Sequence, residues 1–267
     1  MGLTEREKNG VRWFDAPVLS GVRHGFSTRL GGVSPAPWDS LNLRPDQGDG
    51  PDALRENYRR FCGAVGLDEV YSVLAKQVHE TTVRVCTAED AGKGLLRPRD
   101  YSADALISNV PGLALFVFSA DCGTVLLYNP QTKAVGAVHA GWRGCAAGIV
   151  RKAVEALCGT YGGVPGDIRA ALGPCIGKCC FETDGDVPEA MEAALGDLAG
   201  PYMERRGEKW HVDLEGLNVQ WLTLAGVLPE HIDRSGLCTA CRRDLFWSHR
   251  KMGEARGVQC AVIAAPD

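Results

Sequence analysis

The apolar positions of this chain fall into two periodicities. From Pro51 to Gly66, Leu54, Tyr58, Phe61 and Val65 recur at i, i+4, i+7 and i+11, which predicts a helix starting at Pro51 and ending at Gly66. Elsewhere short β-branched runs dominate: Pro17–Thr28, Val70–Ala75, Thr81–Cys86, Ala103–Ile107, Leu113–Phe118 and Ile168–Leu172 read as strands. Val125–Tyr128 and Ala134–Ala140 flank Asn129-Pro130-Gln131-Thr132, a strand–turn–strand pattern. Residues 144–157, 187–198 and 214–225 read as helices, the last capped by Asp213. Lys209–Val212 and Val258–Ala264 are further strand candidates. Residues 1–18 form an entry segment whose one apolar piece is Val11–Phe14, and Leu30–Asn42 and Asp90–Ser102 are loops.

Strands and helices are mixed, with hairpin-length gaps and no repeat or low-complexity linker. The pattern predicts an α+β (mixed α/β) fold: one domain over residues 1–267, a mixed β-sheet core flanked by helices. With a net charge of −4 and scattered Lys and Arg, the chain has no basic patch for nucleic acid. No apolar run is long enough for a transmembrane helix, and MGLTEREKNG carries no signal-peptide core, so a cytoplasmic location is expected. In a reducing compartment the 11 cysteines are expected as thiols or metal ligands rather than a disulfide framework.

The candidate chemistry gathers at strand ends. Cys122 heads the first strand of the predicted hairpin and His139 stands at the foot of the second, so a reversing turn brings both to one end of the sheet. His79 also follows a strand-like run. Imidazole and thiolate suit zinc, and a catalytic zinc site uses three protein ligands; the wide spacing alone is weak evidence, and buried core thiols and histidines are more frequent. Cys122 with His139 could instead be a metal-free nucleophile and base, although Asp121 points away from Cys122 and leaves no evident orienting group. Cys175, Cys179 and Cys180 with Cys238 and Cys241 could form a second, structural zinc site, or simply pack as thiols. Arg29, Arg143 and Arg250 suit an anion, Arg143 at the start of a predicted helix. The P-loop, Rossmann, nucleophile-elbow and zincin motifs are absent.

Eight segments, in order along nearly the whole chain, carry a resemblance: His24-Gly-Phe-Ser-Thr-Arg29 with Gly31-Gly32-Val33-Ser34; Leu41-Asn42-Leu43; Gln77-Val78-His79; Asp104-Ala-Leu-Ile107; Ala120-Asp121-Cys122; His139-Ala-Gly-Trp-Arg-Gly144; Gly173-Pro-Cys-Ile-Gly177; and Cys238-Thr-Ala-Cys241 with Phe246 and Ser248-His249-Arg250. They resemble the laccase-domain proteins, also called the multicopper polyphenol oxidase or YfiH-like family, to which the mammalian FAMIN purine enzyme is related. The resemblance implies zinc on His79, Cys122 and His139. It also implies phosphorolysis of adenosine, inosine, guanosine or methylthioadenosine, with adenosine deamination beside it.

Purine nucleosides and phosphate are then the expected partners. Arg29, Arg143, Arg250 and the amides of Gly141–Gly144 are candidates for phosphate, and Asn42 and Gln77 for orienting the nucleoside. Zinc there would lower the pKa of water toward about 7; deamination would also need a proton shuttle, with Glu80 and Asp121 as candidates. The family is also linked to copper-dependent laccase activity and to correction of peptidoglycan precursors, the latter suiting a Cys–His hydrolase. Two residues depart from its pattern: Thr124 stands where proline is usual, expected to loosen the turn below Cys122, and Glu80 replaces a small residue.

Overall fold

Two six-stranded sheets, packed face to face, form the centre of the molecule in the computed structural model, which describes residues 2–267. In chain order, β1 (Thr4–Lys8), β2 (Val11–Asp15) and β3 (Arg23–Ser27) precede helix α1 (Pro51–Val65). Strands β4 (Ser72–Leu74), β5 (Val83–Val85), β6 (Ala105–Ser108), β7 (Ala114–Ser119), β8 (Gly123–Asn129) and β9 (Ala134–Ala140) follow. Helices α2 (Trp142–Ala146) and α3 (Ile149–Tyr161) lead to β10 (Arg169–Leu172), β11 (Glu182–Thr183), α4 (Asp186–Leu195), β12 (Met203–Arg206) and β13 (Lys209–Val212). The chain closes with α5 (Leu214–Leu224), β14 (Ile232–Arg234), α6 (His249–Met252) and β15 (Gln259–Ala264). One sheet has the order β1-β2-β3-β15-β7-β4, the other β14-β10-β8-β9-β6-β5, and β11-β13-β12 form a small third sheet. Both large sheets mix parallel and antiparallel pairs, as expected for the mixed α/β class.

Side-chain alternation assigns each face. Leu106, Leu126, Val135 and Ala137 of one sheet meet Leu115, Val117, Ala261 and Ile263 of the other between the layers. Their neighbours Ile107, Val125, Leu127 and Val138 point outward, where α3 (Val150, Val154, Leu157) and α5 (Leu217, Trp221) cover them. On the far side Leu74, Phe116, Phe118 and Val262 pack under Leu54, Tyr58 and Phe61 of α1. The central strands are therefore buried on both faces, which is why they read in sequence as continuous apolar runs.

Helix α1 follows its sequence signals: Pro51 opens it and Gly66, at φ +77°, ends it with its N–H on the Cys62 carbonyl. The segment after His139 does not. The helix expected over 144–157 is broken at Gly148, which takes φ +71°, so α2 is a single turn and α3 runs from Ile149 to Tyr161. The helix expected over 187–198 ends at Leu195, where a 3-10 segment takes over through Tyr202. Val70 and Tyr71 belong to a 3-10 turn before β4. Strand β1, Thr-Glu-Arg-Glu-Lys, has no apolar residue to betray it; it is an exposed edge strand held by its ladder to β2. Gly123 and Thr124 form no loosened turn, because both lie in β8, paired with Ala140 and His139.

The loop over residues 30–42 is tied down by Asn57 of α1, which is fully buried. Its Oδ1 accepts the Val33 N–H at 2.8 Å, and its Nδ2 donates to Ser34 Oγ at 2.7 Å and the Asn42 carbonyl at 2.8 Å. Replacing Asn57 by Ala strands these groups away from water, and the expected cost is about 2 kcal/mol. Urea unfolding measures it as a lower midpoint at unchanged slope; an unmoved midpoint contradicts this role.

Candidate metal centre

The β8–β9 hairpin delivers the first two groups. Cys122 immediately precedes β8 and His139 lies in β9 opposite Thr124, so the hairpin brings both to one sheet end, as its sequence pattern predicts. His79 arrives from the loop between β4 and β5, with its backbone at φ +63°, an uncommon conformation for a non-glycine residue. One ligand atom from each of His79, Cys122 and His139 lies within 4.8 Å of the others. His79 Nε2 is 4.0 Å from Cys122 Sγ, and the two imidazoles meet edge to face with centroids 4.9 Å apart.

The group that assembles them is Asp104, fully buried just ahead of β6. Its carboxylate accepts the backbone N–H groups of Val78, His79 and Glu80 at 3.0–3.1 Å, fixing the strained loop. Asp104 Oδ1 also lies 2.8 Å from His139 Nδ1, and the Asp104 carbonyl accepts the His139 backbone N–H at 2.7 Å. Nδ1 is thereby the protonated nitrogen, which leaves Nε2 as the free donor for a metal. Sequence reasoning quoted Asp104 within a motif and gave it no role. Its signal is a lone acidic residue inside an otherwise apolar strand run, Ala103–Ile107.

Burial alone would push the Cys122 thiol up, but the charge of His139 and hydrogen bonds with His139 and His79 outweigh it, holding the thiol at about 6. Burial pulls His139 down, while the Cys122 thiolate and the Asp104 hydrogen bond raise it to about 9. Asp104 is likewise pushed up by burial and pulled further down by His139 and the backbone N–H groups, so it stays ionised. Zinc bonds of 2.0–2.3 Å place tetrahedral donors roughly 3.3–3.8 Å apart, so small side-chain adjustments bring this donor set onto an ion. Gly141 keeps the space open. A Cβ there would stand 3.1 Å from His79 Cδ2, 3.2 Å from Cys122 Sγ and 3.5 Å from His139 Cε1.

The centre opens into a cavity of about 350 Å³, within the range of small-molecule sites. Phe118, Trp142, Ile176, Phe181 and Val258 give it apolar walls; Arg44, His249, Arg250, Glu254 and Arg256 give it charge and hydrogen-bonding capacity. Of the expected substrate-binding residues, Arg250 and Gln77 line it. The Gln77 amide is held at both ends, however: Nε2 donates to the Phe118 carbonyl and Oε1 accepts the Phe118 N–H, leaving one N–H and one lone pair. Arg29, Asn42 and Arg143 are not among the lining residues.

Arg29 stacks on Trp247 with its guanidinium carbon 4.0 Å from the ring centroid and donates to the Asp39 and Arg243 carbonyls. Asn42 is buried, its Oδ1 taken by the Val258 N–H and its Nδ2 by Asp49. Arg143 is exposed and lies over its neighbour Trp142, on a helix of one turn. Asp121, a shuttle candidate, accepts from Thr239 Oγ1, Ser248 Oγ and the Arg250 N–H, which leaves it a tether for these two loops. Glu80 is exposed and outside the cavity lining. Arg44, Glu254 and Arg256 were missed, and His249 was quoted in a motif without a role; three come from loops and His249 from the first position of the one-turn α6, where no periodicity marks which way a side chain faces.

A two-sheet sandwich brings a thiol and two imidazoles together at one sheet end, beneath an arginine-lined cleft, a donor set able to hold a metal ion. Residues 23–266 match the family model described as multi-copper polyphenol oxidoreductase laccase, and the chain belongs to this family. It is 37% identical over 235 residues to purine nucleoside phosphorylase YfiH of Escherichia coli, covering 88% of this chain and 90% of that one. It is 32% identical over 267 residues to purine nucleoside phosphorylase YlmD of Geobacillus stearothermophilus, covering 98% and 96%. The crystal structure of YlmD from that organism matches with a TM-score of 0.91 at 31% identity over 98% of both chains. That of the Bacillus licheniformis hypothetical protein YfiH also gives 0.91, at 30% identity over 97% of this chain and 98% of that one.

Two outcomes follow from this geometry. In Gly141→Ala the added methyl crowds His79 and Cys122 and touches His139, and zinc affinity is expected to fall by at least tenfold at unchanged secondary structure, read by competition with a chromophoric chelator; wild-type affinity contradicts it. The second concerns pH. A metal needs Cys122 as thiolate and His139 neutral. Between about 6 and 9 the thiolate is already formed and His139 still holds its proton. Zinc binding near pH 7.5 is therefore expected to release about one proton from this pair, and affinity to rise with pH across the window, falling more steeply below about 6. Calorimetry in buffers of different ionisation enthalpy measures the release; none from the protein contradicts the assignment.

Proposed function

We propose that the protein is a zinc-dependent purine nucleoside phosphorylase, with deamination of adenosine as a second activity of the same cavity. The observation that carries this reading is Arg256. It lines the cavity and is buried, its Nη atoms reach only the Gly257 carbonyl and His249 Nδ1, and its Nε has no partner. Among the described residues it makes no ion pair, and burial pushes its pKa down. A guanidinium withdrawn from water with no carboxylate bonded to it, Glu254 and Asp121 acting on it only at longer range, leaves its fork open to an anion such as phosphate. Arg44 and Arg250 on the same cavity add positive charge, and the aromatic walls suit the faces of a purine. The names of the curated relatives point to the same substrates.

In phosphorolysis a phosphate oxygen bonds to C1′ of the ribose as the bond from C1′ to the purine nitrogen breaks. The base leaves with that electron pair and takes up a proton. Arg256, Arg44 and Arg250 would hold the phosphate, and the apolar walls would exclude water that could compete with it. His249 and Glu254, 3.7 Å apart at the cavity, are placed to carry the proton. Asp104 would keep His139 in one tautomer and His79 in place. When bound, zinc supplies Lewis-acid polarisation of an oxygen set against it.

The oxidase reading is weaker on donor count: of six histidines, only His79, His139 and His249 line the cavity, short of a multicopper set. Copper in place of zinc at the three donors is compatible with their chemistry. A thiol hydrolase gains from Asp104, which supplies the orienting group for a Cys122–His139 pair. His79 has no part in such a triad, and hydrolase activity would survive chelation.

The direct test is release of adenine and ribose 1-phosphate from adenosine, and of inosine from adenosine, with and without phosphate. Phosphate-dependent cleavage is expected, abolished in Cys122→Ala; undiminished cleavage in that variant removes the centre from the reaction. In Arg256→Met the KM for phosphate is expected to rise roughly tenfold or more while that for nucleoside changes little. An unchanged phosphate KM contradicts the anion site.

A further inference from the structure

A second cluster of soft donors lies behind one wall of the cavity. One Sγ from each of Cys179, Cys180, Cys238 and Cys241 lies within 4.8 Å of the others. Cys180 Sγ and Cys179 Sγ are 3.5 Å and 3.6 Å from Cys241 Sγ. These separations are far longer than the 2.03–2.05 Å of a disulfide, and all four residues are free thiols. They are close to the roughly 3.8 Å edge of a tetrahedron of sulfurs bonded to zinc at 2.3 Å. We infer that these four cysteines hold a second, structural zinc ion that staples the loop after β10 to the loop after β14.

The tandem pair is no obstacle. The N–H groups of Cys180 and Phe181 both turn back onto the Gly177 carbonyl at 2.9 Å, and this tight turn presents Cys179 and Cys180 to the same side. Gly177 serves the cluster twice. Its N–H donates to Cys238 Sγ at 3.2 Å, a bond that favours thiolate. Its missing Cβ also spares a tight approach of 3.2 Å to Cys238 Cβ. The two loops are already in register, with the Thr239 N–H on the Cys175 carbonyl at 3.0 Å. Cys179 and Cys241 are exposed, so without an ion two solvent-facing thiols would be held against each other with nothing to protect them from oxidation. Four thiolates and no open position describe a structural rather than a catalytic site.

The staple bears on the first centre through the wall it fixes. Ile176 and Phe181 flank the cysteines and line the cavity, and Arg250 donates to the carbonyls of Cys180 at 3.3 Å and Glu182 at 2.9 Å. Thr239, next to Cys238, bonds to Asp121 beside Cys122. The inference does not depend on the nucleoside reading.

The test is metal content per chain of protein purified under reducing, anaerobic conditions without chelator. Wild type is expected to carry two equivalents of zinc, Cys241→Ser and Cys179→Ser one each, and Cys122→Ala one. Should the serine variants fail to fold, wild type reloaded with cobalt is decisive. Thiolate-to-cobalt charge transfer and X-ray absorption are expected to report one all-sulfur site and one mixed nitrogen–sulfur site. One equivalent of metal in wild type that Cys122→Ala removes, folded serine variants with wild-type content, or a disulfide of Cys241 with Cys179 or Cys180 in place of metal would overturn the inference.

Discussion

One buried carboxylate organises the candidate centre. Asp104 has no water to solvate its charge, so every lone-pair direction must be met from the protein, and the protein meets them from two separate places: three successive N–H groups of the His79 loop and the ring of His139. That carboxylate offsets the cost of holding His79 at φ +63° and fixes the tautomer of His139. Cys122 then needs no loop of its own, because the β8–β9 ladder sets its position relative to His139. The coupling is electrostatic as well as geometric, since the carboxylate raises His139 and the imidazolium in turn lowers Cys122.

The fold was legible where burial writes itself into sequence. Helix α1 shows its face through Leu54, Tyr58 and Phe61, and the strands buried on both faces appear as unbroken apolar runs. It was illegible where the backbone is decided by something other than burial. Strand β1 is a polar edge defined only by its partner, and α2 and α3 are separated by one glycine in a left-handed conformation within a continuous amphipathic pattern.

The centre was legible to a different extent. The topology brings His79, Cys122 and His139 together because strand ends converge, an inference a hairpin pattern supports. Asp104 escaped because a residue that only orients others has no spacing of its own. The arginines show the limit most plainly. Arg29 and Arg143, expected to meet an anion, spend their guanidinium faces on Trp247 and Trp142, whereas Arg256, unmarked by any motif, is buried at the cavity with no carboxylate bonded to it. Sequence shows that a cation is present; only packing decides which cation has no carboxylate bonded to it.

Whether Asp104 orients both histidines is read most directly from the zinc affinity of Asp104→Asn beside wild type. Asparagine preserves the shape but offers one acceptor oxygen and no charge. Binding is expected to weaken by about 10–100-fold, in line with loss of a partner that orients metal ligands, with a folded circular dichroism spectrum and less proton release on binding. Wild-type affinity in the folded variant would contradict it.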